Sequence, residues 1–218
     1  MLIGNFVEKI TPKWRKMLDL PFLKGIIGGS LEKKLFLEYL IQDTIYLKDY
    51  AKCYAYAITK TDNIEVMRIL YDCLGIISKD ESCVHIIYLK DLGYTESRAL
   101  CKPIHEVNRK YLDYMLYFSK HGTLAQNITC LVPCALSYFY IAKECKKIAL
   151  DLKTYHNNYY KKWIDFYSGS FYEQSCEKLI DLCSLILNNL SSDEINNLYE
   201  IFEKSTHYEN LFWQIPKI

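Results

Sequence analysis

The chain has 218 residues, half of them hydrophobic and 24% charged, which is the balance of a globular protein and not of a disordered one. Lys and Arg number 27 against 26 Asp and Glu, so the net charge of +1 offers no cationic surface for a phosphate-backbone binder. No apolar run reaches the roughly 18–20 residues that span a bilayer. Residues 1–9 lack the basic region and apolar stretch of an export signal, so a cytoplasmic protein is expected, with neither nucleic acid nor membrane as partner.

With only 8 Gly and 5 Pro, and apolar residues recurring at threes and fours, the chain reads as all-α. A short helical segment precedes Pro21, and Pro12 either starts a helix capped by Thr11 or kinks a longer one. Breaks are placed at Pro21, at Gly25 to Ser30, and at Gly93, Pro103 and Gly122. Helices are predicted near 31–60, 62–77, 79–92, 104–121, 123–151, 155–168, 171–190 and 192–213. Capping boxes mark three starts, Ser78 with Glu81, Ser170 with Glu173 and Ser191 with Glu194; Asp62 with Glu65 is a weaker fourth. No linker or repeat interrupts the pattern, so one helical domain over 1–218 is expected.

Nine cysteines are an odd number, and none has the Cys-x2-Cys spacing of a zinc ribbon or a thioredoxin-type site. Most sit among apolar residues, as small buried hydrophobes of a reducing compartment. Cys134 stands out because it follows Pro133 in an apolar helical run. A proline there frees the carbonyl of Thr129 and tends to kink the helix, which can point Cys134 into a cavity with Tyr138 one turn above. Taken by itself, any one of nine cysteines is more often inert packing.

Asp43, Tyr46 and Tyr50 share one helix face with Phe36, Leu40 and Leu47. A carboxylate on that stripe must be paired. It can accept from an amino group of a ligand, or from a tyrosine or backbone amide of the core. Glu209 lies between aromatics in Tyr208-Glu209-x2-Phe212-Trp213. Burial there would raise its pKa and suit it to general acid–base work; the alternative is an aromatic plug with Glu209 on its wet edge. Tyr111, Tyr114 and Tyr117 form one aromatic stripe, and Tyr159, Tyr160, Trp163 and Tyr167 another, both of a kind that usually packs cores. Glu81 with His85 and Glu203 with His207 have metal-pair spacing, but Glu81 serves the Ser78 cap, and solvated faces explain both pairs; no metal or cofactor is expected.

These pieces occur in a set order that resembles the TenA family (thiaminase II, aminopyrimidine aminohydrolase). Pro21-Phe22-x2-Gly25-Ile26 with Gly29-x-Leu31 is similar to the family's opening, and Phe36 to Tyr46, containing Gln42-Asp43, to its most recognisable block. Asn108-x2-Tyr111, Leu131-x-Pro133-Cys134-x3-Tyr138, Tyr160-x2-Trp163-x3-Tyr167 and Tyr208-Glu209-x2-Phe212-Trp213 follow. Leu20 stands where many relatives have His.

The resemblance implies a haem-oxygenase-like helical bundle, assembled as a homotetramer. It also implies hydrolysis of a small-molecule pyrimidine, either 4-amino-5-aminomethyl-2-methylpyrimidine or thiamin, to 4-amino-5-hydroxymethyl-2-methylpyrimidine in thiamin salvage. Cys134 would be the nucleophile, Asp43 would hold the ring's amino group and Glu209 would move protons. Tyr111 and Tyr167 would orient the ring, with Tyr46 and Tyr138 lining the pocket. A non-catalytic pyrimidine-binding or regulatory protein on the same fold is the alternative. A haem oxygenase would want an axial His near its N-terminus, yet the first His is His85.

Overall fold

The computed structural model describes residues 2–77 and 82–216, and among these the chain is helical with no strand. α1 (Leu2–Met17), α2 (Pro21–Gly28) and the long α3 (Lys33–Ile58) come first, followed by α4 (Ile64–Gly75), α5 (Ser82–Asp91) and α6 (Glu96–Leu100). α7 (Glu106–His121) leads to α8 (Leu124–Asp151), and α9 (Lys161–Tyr167), α10 (Ser170–Ile186) and α11 (Ser192–Phe212) complete the bundle. α8 is its axis, packed by α1, α2, α3, α7, α9, α10 and α11. By length and composition this helix could cross a membrane, against the sequence expectation that none could. Its most apolar window is 67% buried inside the protein, however, as befits a central core helix.

Local chemistry explains where helices start and stop. Ser191 and Glu194 form the predicted capping box of α11, and an unforeseen box of Thr123 and Gln126 opens α8. The box expected at Ser170 does not form, because Gly169 is the N-cap and Ser170 is already helical. Asn63, one residue beyond Asp62, accepts the amides that open α4. The box expected at Ser78 and Glu81 lies outside the described residues.

Pro21 starts a helix where a break was expected, since its fixed φ and missing N–H suit the first helical position. Gly29 ends that helix at φ 70°. Asn158 then reaches across from the loop after α8 to the carbonyls of Ile26 and Ile27, at 2.8 and 3.3 Å. At Gly25 a Cβ would stand 2.9 Å from that of Leu31, so glycine is what lets the chain fold back on α2. Pro12 lies within an unbroken α1, and Thr11 is no cap: its hydroxyl donates to the Val7 carbonyl at 2.8 Å.

Two predicted helices come out short. The one expected from 155 starts at Lys161, because Lys153 takes φ 60° and Asn158 spends its side chain on α2 and on the Tyr160 amide. The one expected to reach 190 ends at Ile186, ahead of Asn189 at φ 54°.

Asp165 anchors α9 to α8. It accepts from Lys146 at 2.9 Å and also from Lys161 and the Tyr155 hydroxyl. Burial alone would raise its pKa, but these donors outweigh burial and hold the carboxyl at about 2. A folded pKa below the unfolded one stabilises the native state above about pH 4, and that stabilisation is lost as pH falls towards the folded value. Since the side chain is 33% exposed, solvent screening leaves about 1 kcal/mol of it. Asp165→Asn is therefore expected to lower Tm by about 2–4 °C at pH 7. Melts of wild type and variant should converge near pH 2; an undiminished gap there would show that charge is not the cause.

Candidate active site

α3, α8 and α11 bring Asp43, Cys134 and Glu209 into one buried interior, where they are 2%, 5% and 2% exposed. The phenols between them register the convergence. Burial lifts Tyr46 well above its ordinary pKa, with Cys134, Tyr111 and Glu209 adding to the rise. Tyr138 is raised likewise, by burial and then by Asp43, Tyr39, Glu209 and Tyr167.

Asp43 has the core partners that one of its two expectations asked for. Oδ2 accepts from the Tyr39 hydroxyl at 2.9 Å, one turn back on α3, and lies 3.1 Å from His85 Nε2. The Tyr39 oxygen in turn accepts from Trp163 Nε1 at 3.2 Å and stands 3.3 Å from the Tyr138 hydroxyl. Both donors to Asp43 converge on Oδ2. Among the described residues nothing donates to Oδ1.

Cys134 lies where α8 continues through Pro133. Carbonyls in that turn find donors on other helices: Ser205 bonds the Cys130 oxygen at 2.8 Å and Tyr50 that of Leu131 at 3.0 Å. Such ties hold the α8 backbone to α11 and α3 on either side of the thiol. Tyr46, Tyr50, Tyr54 and Tyr111 surround it closely enough that each phenol's pKa, raised first by burial, is raised further by Cys134. A cavity of about 30 Å³ touches the thiol, with Tyr50, Tyr54, Cys73, Tyr172 and Cys176 among its walls. That is far below the several hundred Å³ of a usual ligand pocket. The hydroxyl of Tyr138, one turn above Cys134, lies 3.3 Å from that of Tyr39.

Glu209 is not on a wet edge. The aromatic plug is Trp213, fully buried, stacked on Tyr39 at 5.6 Å and 4.7 Å from the Tyr138 ring. Glu209 lies one turn earlier on α11 and faces Tyr111, whose phenol is raised first by burial and then by this carboxylate. The Tyr111 hydroxyl meets this carboxylate, and no other partner for it is found among the described residues. Tyr46 donates only to the soft sulfur of Met115, at 3.6 Å. Tyr39, Tyr50, Tyr88 and Tyr160 have by contrast spent their hydroxyls on structure. Of the Tyr111 stripe only Tyr111 is fully buried; Tyr114 is half-buried and Tyr117 is 60% exposed, because a step of three drifts round a helix.

Gln42 and Asn108, both within the family-like pattern, are braces. Asn108 donates to the Gln42 backbone carbonyl at 2.8 Å, while the Gln42 side chain bonds His105 and Pro103 at 2.9 and 3.0 Å. They register α7, and hence Tyr111, against the α3 turn that bears Asp43.

His85 was not foreseen as a site residue. It is buried, with Nε2 3.3 Å from the Tyr167 hydroxyl as well as 3.1 Å from Asp43. It also lines a cavity of about 290 Å³ with Lys48, Leu89 and Glu96, and so stands as a wall between that cavity and Asp43. Its only sequence cue was the spacing from Glu81, a residue outside the described set. No group of three metal-ligating side chains occurs among the described residues, and Glu203, of the other pair, is engaged by Lys13.

Known proteins resemble this chain throughout its length. The model of the TENA/THI-4/PQQC family matches residues 7–216. An aminopyrimidine aminohydrolase of Halalkalibacterium halodurans is 30% identical over 214 residues, covering 97% of this chain and 93% of that protein. Among solved structures, a TenA family transcription regulator from Silicibacter superposes with a TM-score of 0.89 at 24% identity, covering 99% of this chain and 96% of that one. A haem-oxygenase-like domain from Shewanella denitrificans superposes at 0.73 with 14% identity, covering 97% of this chain and 90% of the other. The fold is thus the expected haem-oxygenase-like bundle, and by the full-length match of its family model the chain belongs to the TENA/THI-4/PQQC (TenA) family.

Proposed function

We propose that the protein hydrolyses 4-amino-5-aminomethyl-2-methylpyrimidine, and thiamin more slowly, to 4-amino-5-hydroxymethyl-2-methylpyrimidine. It would do so in thiamin salvage, with no cofactor. The observation that carries this is one buried cluster of a thiol, two carboxylates and several phenols, in which Tyr46 donates only to the Met115 sulfur. The halodurans relative, named for this activity, supports it. Kinship of that extent makes the chain an enzyme of the aminohydrolase class.

In this scheme Asp43 Oδ1 accepts from the ring's exocyclic amino group and sets the ring against Cys134. Cys134 gives its thiol proton to Glu209 and adds as thiolate to a ring carbon, and the displaced electron pair moves onto the ring nitrogens. That pair then expels the amine from the exocyclic methylene while Glu209 protonates it, and ammonia leaves. Water adds to the methylene and gives its proton back to Glu209; loss of the sulfur restores the aromatic ring. Covalent attack divides one hard displacement into two easier ones. Tyr46, Tyr111 and Tyr138, whose pKa values are raised well above the ordinary, remain protonated at working pH and act as donors, not bases. Tyr167 orients the ring from α9. A single domain over 1–218, a homotetramer and a cytoplasmic location complete the proposal.

The Silicibacter protein is called a transcription regulator, and regulation is therefore the second reading; a net charge of +1, however, gives this chain no general means of holding nucleic acid. Turnover of both pyrimidines in water enriched in heavy oxygen tests the proposal. Labelled hydroxymethyl product from each, faster from the aminomethyl compound, is expected. Tight binding without product would overturn hydrolysis and favour a binding protein.

A further inference from the structure

Among the buried polar groups of the interior, His85 has geometry that the hydrolytic scheme does not use. Its ring is 2% exposed and stands edge-on to Tyr39, with centroids 6.4 Å apart and planes at 88°. Packing from α3 and α9 fixes the imidazole, and Nε2 falls 3.1 Å from Asp43 Oδ2. An ionised carboxylate can only accept, so Nε2 carries the hydrogen in that pair. Tyr39 already gives its proton to the same oxygen at 2.9 Å. Two donors on Oδ2 fix the carboxylate's rotation, and no described residue donates to its other oxygen.

We infer that His85 is a positioning residue and the source of the site's preference for an amino group. Holding Asp43 from behind, it keeps Oδ1 presented as an acceptor to the ring substituent next to the reacting methylene. A ligand offering an N–H donor at that position is matched. One offering a carbonyl oxygen meets a carboxylate oxygen, lone pair to lone pair, and is rejected. The inference rests on the pyrimidine reading of the chamber. It adds a residue to that reading and a rule for the ring: 4-amino accepted, 4-oxo excluded.

Calorimetric titration of wild type, His85→Leu and His85→Gln with 4-amino-5-hydroxymethyl-2-methylpyrimidine and with its 4-oxo counterpart tests this. Wild type should prefer the amino compound. Loss of a hydrogen bond to a charged group should weaken that compound's binding to His85→Leu by about 10- to 100-fold, and the preference should narrow by a similar factor. Glutamine can place an N–H where Nε2 was, so His85→Gln should recover most of both. Folded His85→Leu that keeps the preference would overturn the inference while leaving the substrate reading intact, as would equal weakening of both ligands, the mark of a merely structural role. Should His85→Leu fail to fold, loss of the preference in folded His85→Gln would overturn it equally. Wild type that binds neither pyrimidine would instead overturn the substrate reading, and this inference with it.

Discussion

Cys134→Ser is expected to lower turnover of the aminomethyl pyrimidine by roughly a thousandfold or more while leaving pyrimidine affinity within a few-fold of wild type. Serine preserves the shape of the side chain, but its hydroxyl is a far weaker nucleophile. Another cysteine cannot substitute from where it stands. Burial pushes the thiols of Cys53, Cys73, Cys145 and Cys183 up to about 11 or 12 and that of Cys130 higher still, which suits packing and not attack. Cys83 and Cys101 lie on the surface, and Cys176 directs its sulfur to the Ala135 carbonyl at 3.7 Å. A buried hydroxyl in place of sulfur costs about 1–3 kcal/mol, so melting should fall by a few degrees and the variant should remain folded. Steady-state rates, product titration and a melt on the same preparation decide the matter. A folded variant retaining a tenth of wild-type turnover would remove Cys134 from the mechanism.

Glu209→Gln should reduce kcat for the aminomethyl substrate by about 10²–10⁴-fold, the range for losing a general acid–base. The amide keeps the volume and can still meet Tyr111, but it can neither give a proton to the departing amine nor take one from water. Leaving-group chemistry gives a sharper contrast. Ammonia must be protonated as it leaves, whereas the thiazolium of thiamin departs as a neutral ring without a proton. The variant should therefore lose less on thiamin than on the aminomethyl compound. Equal losses on both would restrict Glu209 to activating water, and no loss on either would exclude it from proton transfer.

The inward-facing residues written along a single helix were legible from sequence. Asp43, Tyr46 and Tyr50 all face inwards from α3, as the apolar stripe beside them required, and the Ser191 cap opens α11. Which of nine cysteines lies nearest Asp43 and Glu209 was not legible from spacing, because that depends on the packing of α8 between α3 and α11; only the family resemblance pointed to Cys134. His85 escaped for the same reason. Its partners, Asp43 and Tyr167, lie on other helices far along the chain, and its local spacing pointed instead to a metal pair. Pro21 and Gly25 were read as punctuation, although together they build α2: proline suits a first position, and the missing Cβ lets Leu31 close over it. The late start of α9 was hidden too, since Asn158 stays out of that helix to hold carbonyls on α2, a contact across more than half the chain.

Ammonia release from 4-amino-5-aminomethyl-2-methylpyrimidine by the wild-type protein, followed beside hydroxymethylpyrimidine formation, tests hydrolysis in this chamber most directly. One ammonia for each hydroxymethylpyrimidine, with both lost together in Cys134→Ser, is the expected result. Folded wild type that binds the pyrimidine and releases neither product would contradict it.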